Sequence, residues 1–97
     1  KISKVATKDT ATFTWKADSK IIAYEVRVVP AADSPHDAGS LIGTTNGSTN
    51  TSGSTTINAD TNTTTKITGA DLELASSGDG QKIIKVFIKD EAGNWSV

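Results

Sequence analysis

The chain has 97 residues, a net charge of −1 and no cysteine. That length holds one domain, and folding buries roughly 60–70% of the unfolded surface. Without cysteine there is no disulfide, no thiolate metal site and no cysteine nucleophile, and the near-zero charge gives no field to attract nucleic acid or an anionic membrane. No apolar run is long enough to span a bilayer, and no signal peptide is visible. The chain opens on Lys1 rather than Met, which is expected of a module excised from a longer protein. Thr, Ser, Asn and Gly dominate. Threonine favours strands through its branched side chain, and the others favour turns, so the composition predicts an all-β fold.

In chain order, Lys1–Thr7 carries Ile2 and Val5 among polar residues and is expected as a short edge strand. Lys8-Asp9 supplies a turn. Thr10–Ala17 alternates, with Ala11, Phe13, Trp15 and Ala17 on one face and Thr10, Thr12, Thr14 and Lys16 on the other. One side is buried and the other wet. After a turn at Ala17–Lys20, Ile21–Val29 puts Ile22, Tyr24, Val26 and Val28 inward, and Ala23, Glu25, Arg27 and Val29 outward. Pro30 ends this strand, because proline has no N–H for a ladder. Ala31–Ser40 is a loop, followed by a short strand around Leu41 and Ile42.

Thr44–Thr56 has no apolar residue and is expected as a long mobile loop outside the core. Short strands follow around Ile57 and at Thr63–Thr68. Gly69–Ala75 is expected as a helical turn that plugs Leu72 and Leu74 into the core. After a turn at Ser76–Gly80, the stretch from Gln81 alternates again, with Ile84, Val86 and Ile88 on one face and Ile83, Lys85, Phe87 and Lys89 on the other. Asp90–Asn94 is a turn, since Gly93 and Asn94 tolerate positive φ, and Trp95 opens a last strand. About seven short strands with turn signals every 8–12 residues predict a Greek-key β-sandwich. The expected core is Phe13, Trp15, Ile22, Tyr24, Val26, Val28, Leu72, Ile84, Val86 and Ile88.

These residues resemble a known family. Thr12-Phe13-Thr14-Trp15 is similar to the second strand of fibronectin type III and related bacterial immunoglobulin-like modules, and Ile22–Val28 to their third, with its core Tyr. Lys66–Leu72 resembles the corner where a Leu drops into the core. Gly80–Ser96, ending K-D-E-A-G-N-W-S, resembles the last hairpin of such modules in bacterial surface and bacteriophage tail proteins. The tyrosine usual at the start of the penultimate strand is absent, with Gln81 or Lys82 in its place. The resemblance implies a fibronectin type III-like, immunoglobulin-like β-sandwich, placed extracellularly on a bacterial cell surface or a phage virion.

Candidate chemistry is sparse. His36, in Ser34-Pro35-His36-Asp37, does not make a catalytic triad, because triad members come from separated elements. It is expected as a solvated loop residue. Asp60, Asp71, Asp79 and Asp90 are oxygen donors of the kind calcium takes, but no dense D-x-D-x-D loop exists, and Asp79 and Asp90 are expected in turns. Gly78-Asp79-Gly80 precedes a strand rather than a helix, so it is a turn and not a phosphate cradle. Four Asn-x-Ser/Thr matches, at Asn46, Asn50, Asn62 and Asn94, are what such a composition produces by chance.

The outer face of the strongest sheet is the candidate contact surface. Pairing of Ile21–Val29 with Lys82–Lys89 would place Glu25 and Arg27 near Lys85 and Lys89, with Ile83 and Phe87 exposed beside them. The candidate binding residues are Phe87, Ile83, Arg27 and Trp95. The same residues also fit an ordinary outer face guarded by lysines. The expected function is a non-catalytic spacer in a tandem surface protein or virion, without cofactor or metal. Its partners are neighbouring domains of the same chain, the isolated module is monomeric, and no nucleic acid or membrane is engaged. The alternative is an adhesive module that contacts cell-surface protein or carbohydrate through its loops or this face.

Overall fold

Two long alternating segments pair to form the frame of the molecule, and everything else is fastened to it. The computed structural model describes residues 2–6, 10–78 and 81–96, with backbone alone for Ile2–Ala6 and Gln81. Lys8, Asp9, Asp79 and Gly80, where turns are expected, and the terminal Val97 lie outside the described residues. In chain order the strands are β1 (Ile2–Ala6), β2 (Ala11–Trp15), β3 (Ile21–Val29), β4 (Ser40–Leu41), β5 (Ser52–Gly53), β6 (Thr63–Ile67) and β7 (Gln81–Asp90). A 3₁₀ turn covers His36–Ala38, and helix α1 covers Gly69–Ala75. The architecture is mostly β, with two antiparallel sheets, as an all-β sandwich requires.

The larger sheet has the order β1-β7-β3-β4, with β5 also on β3. Its spine is the antiparallel pair β3–β7, in register Tyr24↔Ile88, Val26↔Val86 and Val28↔Ile84 on the inner face. The period-two alternation of both strands makes this register the one that buries both apolar sets at once. The far edge of β7 is shared. β1 pairs along it from Gln81 to Lys85, and Trp95 bridges Lys89 beyond. The second sheet is β2–β6, whose partners run from Ala11↔Ile67 to Trp15↔Thr63. The inner faces meet in one cluster: Trp15, Ile21, Tyr24, Val26, Val28, Ile42, Ile67, Leu72, Ile84 and Val86, with Phe13 and Ile88 packed against it.

Two expected core positions change. The register slips between Ile21 and Ala23, which pair with Asp90 and Lys89. A slip of one residue exchanges the faces of a strand. Ile21 therefore turns inward and is buried, whereas Ile22 is half-buried and outside the cluster. In α1, Leu72 is fully buried but Leu74 is 75% exposed. Two residues advance a helix by about 200°, so both cannot face the core.

The polar stretch Thr44–Thr56 is not a loose loop. Thr49 and Lys66 exchange backbone hydrogen bonds of 2.9 and 3.1 Å, and Thr51 O accepts from Val26 N at 2.7 Å. Ser52–Gly53 then pairs with Glu25 and Tyr24 of β3. Ser48 and Thr51 are buried. The stretch binds through backbone groups and hydroxyls, which no apolar pattern announces. Its anchor is Asp71 in the first turn of α1. The Asp71 carboxylate accepts from Asn46 N (3.0 Å), Asn46 Nδ2 (3.1 Å), Ser48 N (3.0 Å) and Thr68 Oγ1 (3.1 Å). Thr68 in turn caps the helix, its hydroxyl accepting from Asp71 N. Burial pushes the Asp71 carboxyl up, but the hydrogen bonds from Ser48 and Asn46 outweigh it and hold its pKa at about 2.

Candidate functional site

The outer face of the β3–β7 pair carries the registers Ala23↔Lys89, Glu25↔Phe87, Arg27↔Lys85 and Val29↔Ile83. Glu25 and Arg27 are expected near Lys85 and Lys89: Arg27 stands opposite Lys85, and Glu25 stands opposite Phe87, with Lys85 and Lys89 at the flanking positions of that face. The predicted exposure of Phe87 is not met, since Phe87 is 0% exposed. The loop of residues 30–39 folds back across this face and covers it.

The loop is fastened by charge. Arg27 Nη1 donates to Gly39 O at 2.7 Å, and Lys85 Nζ donates to the Ser34 carbonyl at 2.8 Å. Like-charged neighbours on adjacent strands need acceptors, and the loop carbonyls supply them. Between these two clamps lies His36. Its Nε2 sits 2.6 Å from Glu25 Oε1, and its Nδ1 sits 3.2 Å from Asp37 Oδ1. Arg27 holds the same Glu25 oxygen through Nε at 2.9 Å and Nη2 at 2.8 Å. Burial pushes the Glu25 carboxyl up, but the hydrogen bonds from Arg27 and His36 more than offset it and its pKa is lowered.

The imidazole is also an aromatic spacer. It meets Phe87 edge-on with centroids 5.3 Å apart, and it stacks on Trp95 at 4.2 Å and 7°. Lys85 Nζ lies 5.0 Å from the Phe87 ring and Lys89 Nζ 5.7 Å from the Trp95 ring, both within cation–π range. His36 is thus a half-buried keystone, not the solvated loop residue that its polar neighbours suggested. Pro35, His36, Asp37, Trp95 and Ser96 border a shallow open recess of about 200 Å³.

Of the four candidate contact residues, the structure brings Phe87, Arg27 and Trp95 together around His36. Ile83 lies beyond Arg27, half-buried opposite Val29. Sequence reasoning missed His36, Ser34 and Gly39 as partners of that face. The available signal was Arg27 facing Lys85 across one register position, which calls for acceptors above the sheet. The oxygen donors do not converge. Asp60 pairs with Lys16, Asp71 is occupied by its four donors, and Asp90 Oδ1 caps the last turn through Asn94 N. Among the described residues no group of three or more His, Asp or Glu side chains could hold a metal ion. No helix among the described residues is long and apolar enough to cross a membrane. No family model, curated protein or solved structure matches the chain.

Proposed function

We propose that the chain is a non-catalytic structural module, an immunoglobulin-like, fibronectin type III-like Greek-key sandwich that spaces or presents other parts of an extracellular protein. The supporting observation is how its reactive side chains are spent. Glu25, Arg27, His36 and Lys85 fasten one loop, and Asp71 fastens another stretch. Groups used this way rigidify a frame. A long dimension of 37 Å would set the reach that each copy adds. A bacterial cell surface or phage virion is the proposed setting, with neighbouring domains as the partners.

A second reading is adhesion. It is favoured by the half-exposed Trp95, which borders the recess with Pro35 and the exposed Asp37. An amphipathic ring at a recess is what sugar or peptide contacts use. The discriminating experiment is binding of the labelled module, beside Trp95→Ala, to bacterial cells, cell-wall material and a polysaccharide panel. The spacer reading expects no saturable binding. Saturable binding that Trp95→Ala abolishes would replace it with the adhesive one.

A further inference from the structure

The two ring nitrogens of His36 each face a carboxylate oxygen, Glu25 Oε1 at 2.6 Å and Asp37 Oδ1 at 3.2 Å. An ionised carboxylate only accepts hydrogen bonds. Neutral imidazole has one N–H, so it can satisfy one of these contacts and turns a lone pair toward the other. Only the imidazolium donates to both. The separation to Glu25 is also in the short range of charge-assisted bonds. We propose that the loop of residues 30–39 is a pH-gated strap, pinned over the outer sheet face when His36 is protonated and loosened at its centre when that proton is lost.

The surrounding charges allow both states. Glu25 and the Arg27 that holds it lie on β3, Lys85 and Lys89 of β7 stand beside the Phe87 and Trp95 rings, and Asp37 lies on the loop itself. With His36 charged, two carboxylates are matched by His36 and Arg27. When the ring loses its proton, Arg27 still holds Glu25 with two nitrogens, so no bare carboxylate is left on the sheet. Deprotonation therefore does not unfold the frame. It weakens the middle fastening, since the neutral ring keeps only one of its two contacts, while the Arg27–Gly39 and Lys85–Ser34 clamps remain at either side. The strap then loosens over Phe87, the ring that His36 covers edge-on. The direction is fixed by chemistry: tight with the imidazolium, which donates to both carboxylates, and looser with the neutral ring.

Amide hydrogen exchange at pH 5.5 and 8.0 tests this, after correction for the intrinsic pH dependence of exchange. The reporters are the Ser34, Ala38 and Gly39 amides, which bond to Ala31, Pro35 and His36 carbonyls within the loop. The Val26 amide, bonded to Thr51 O, is the reference. Replacing a charge-assisted by a neutral hydrogen bond should lower loop protection about fivefold at pH 8.0, with Val26 unchanged. In His36→Asn the pH effect should vanish. Asp37→Asn, at a fully exposed side chain that folding does not need, offers an amide donor to the neutral ring and should also diminish it. Equal protection at both pH values in the unmodified protein would overturn the proposal. So would a full pH effect that survives in both variants.

Discussion

The backbone N–H of Ser48 donates to the Asp71 carboxylate at 3.0 Å in a site from which water is excluded, and this bond joins a stretch without apolar residues to the first turn of the helix. Asp71→Ala would leave the Asn46 and Ser48 donors unpaired. A hydrogen bond to a charged group contributes about 1.5–3 kcal/mol, and several are lost here. A loss of about 2–4 kcal/mol is expected in urea unfolding. A loss below about 1 kcal/mol would mean that the 44–56 stretch does not depend on this anchor.

The same carboxylate sets an acid limit. Its folded pKa of about 2 lies below its ordinary 3.8, so its stabilisation is present above about pH 4 and fades as pH falls toward 2. The stability gap between the unmodified protein and Asp71→Asn should therefore narrow between pH 5 and pH 2. A constant gap would remove the carboxylate's charge from the account.

Trp15 packs edge-on against Tyr24 at 5.1 Å and donates its indole N–H to Thr65 Oγ1 at 2.9 Å. Trp15→Ala is expected to cost about 3–5 kcal/mol by cavity formation. Trp15→Phe keeps most of the volume but loses the hydrogen bond, at about 1 kcal/mol. Urea midpoints for the pair separate the two contributions. Equal losses would mean that packing contributes nothing beyond the bond.

Gly53 lies flat against the Tyr24 ring. A Cβ there would come 2.9 Å from Tyr24 Cε1. Trp15 already packs edge-on against the same ring, which limits how far it can shift, and Gly53→Ala should cost about 1–3 kcal/mol. Thermal unfolding that leaves Tm unchanged would show that the ring yields.

Thr51 is buried, and its hydroxyl has no hydrogen-bond partner. Thr51→Val keeps the shape and removes the unsatisfied group, so a gain of about 1 kcal/mol is expected. For a domain of this size that is a rise of about 4–8 °C in Tm. A fall would reveal a buried water bound to the hydroxyl.

What the sequence showed depended on which forces leave a pattern. Alternation in Ile21–Val29 and from Gln81 onward gave the spine of the larger sheet and its inner face, because apolar burial writes a period of two. It could not show that the opposite face is also covered, so Phe87 was read as exposed. Nothing in the alternation marks the slip that exchanges Ile21 for Ile22. Leu72 and Leu74 looked equivalent until helical geometry separated them. The polar stretch was the largest miss, because its order comes from Asn46, Ser48 and Thr51 O bonding to groups far along the chain.

Residues 49–53 carry a mechanical consequence. Thr49 is bonded to Lys66 in the smaller sheet, while Thr51, Ser52 and Gly53 are bonded to β3 in the larger one. Five consecutive residues thus rivet the two layers together along one side. A load that tried to slide one layer over the other would have to break main-chain bonds at both ends of that rivet together. Resistance to pulling is therefore built into the very segment that looks, from its composition, least able to bear force.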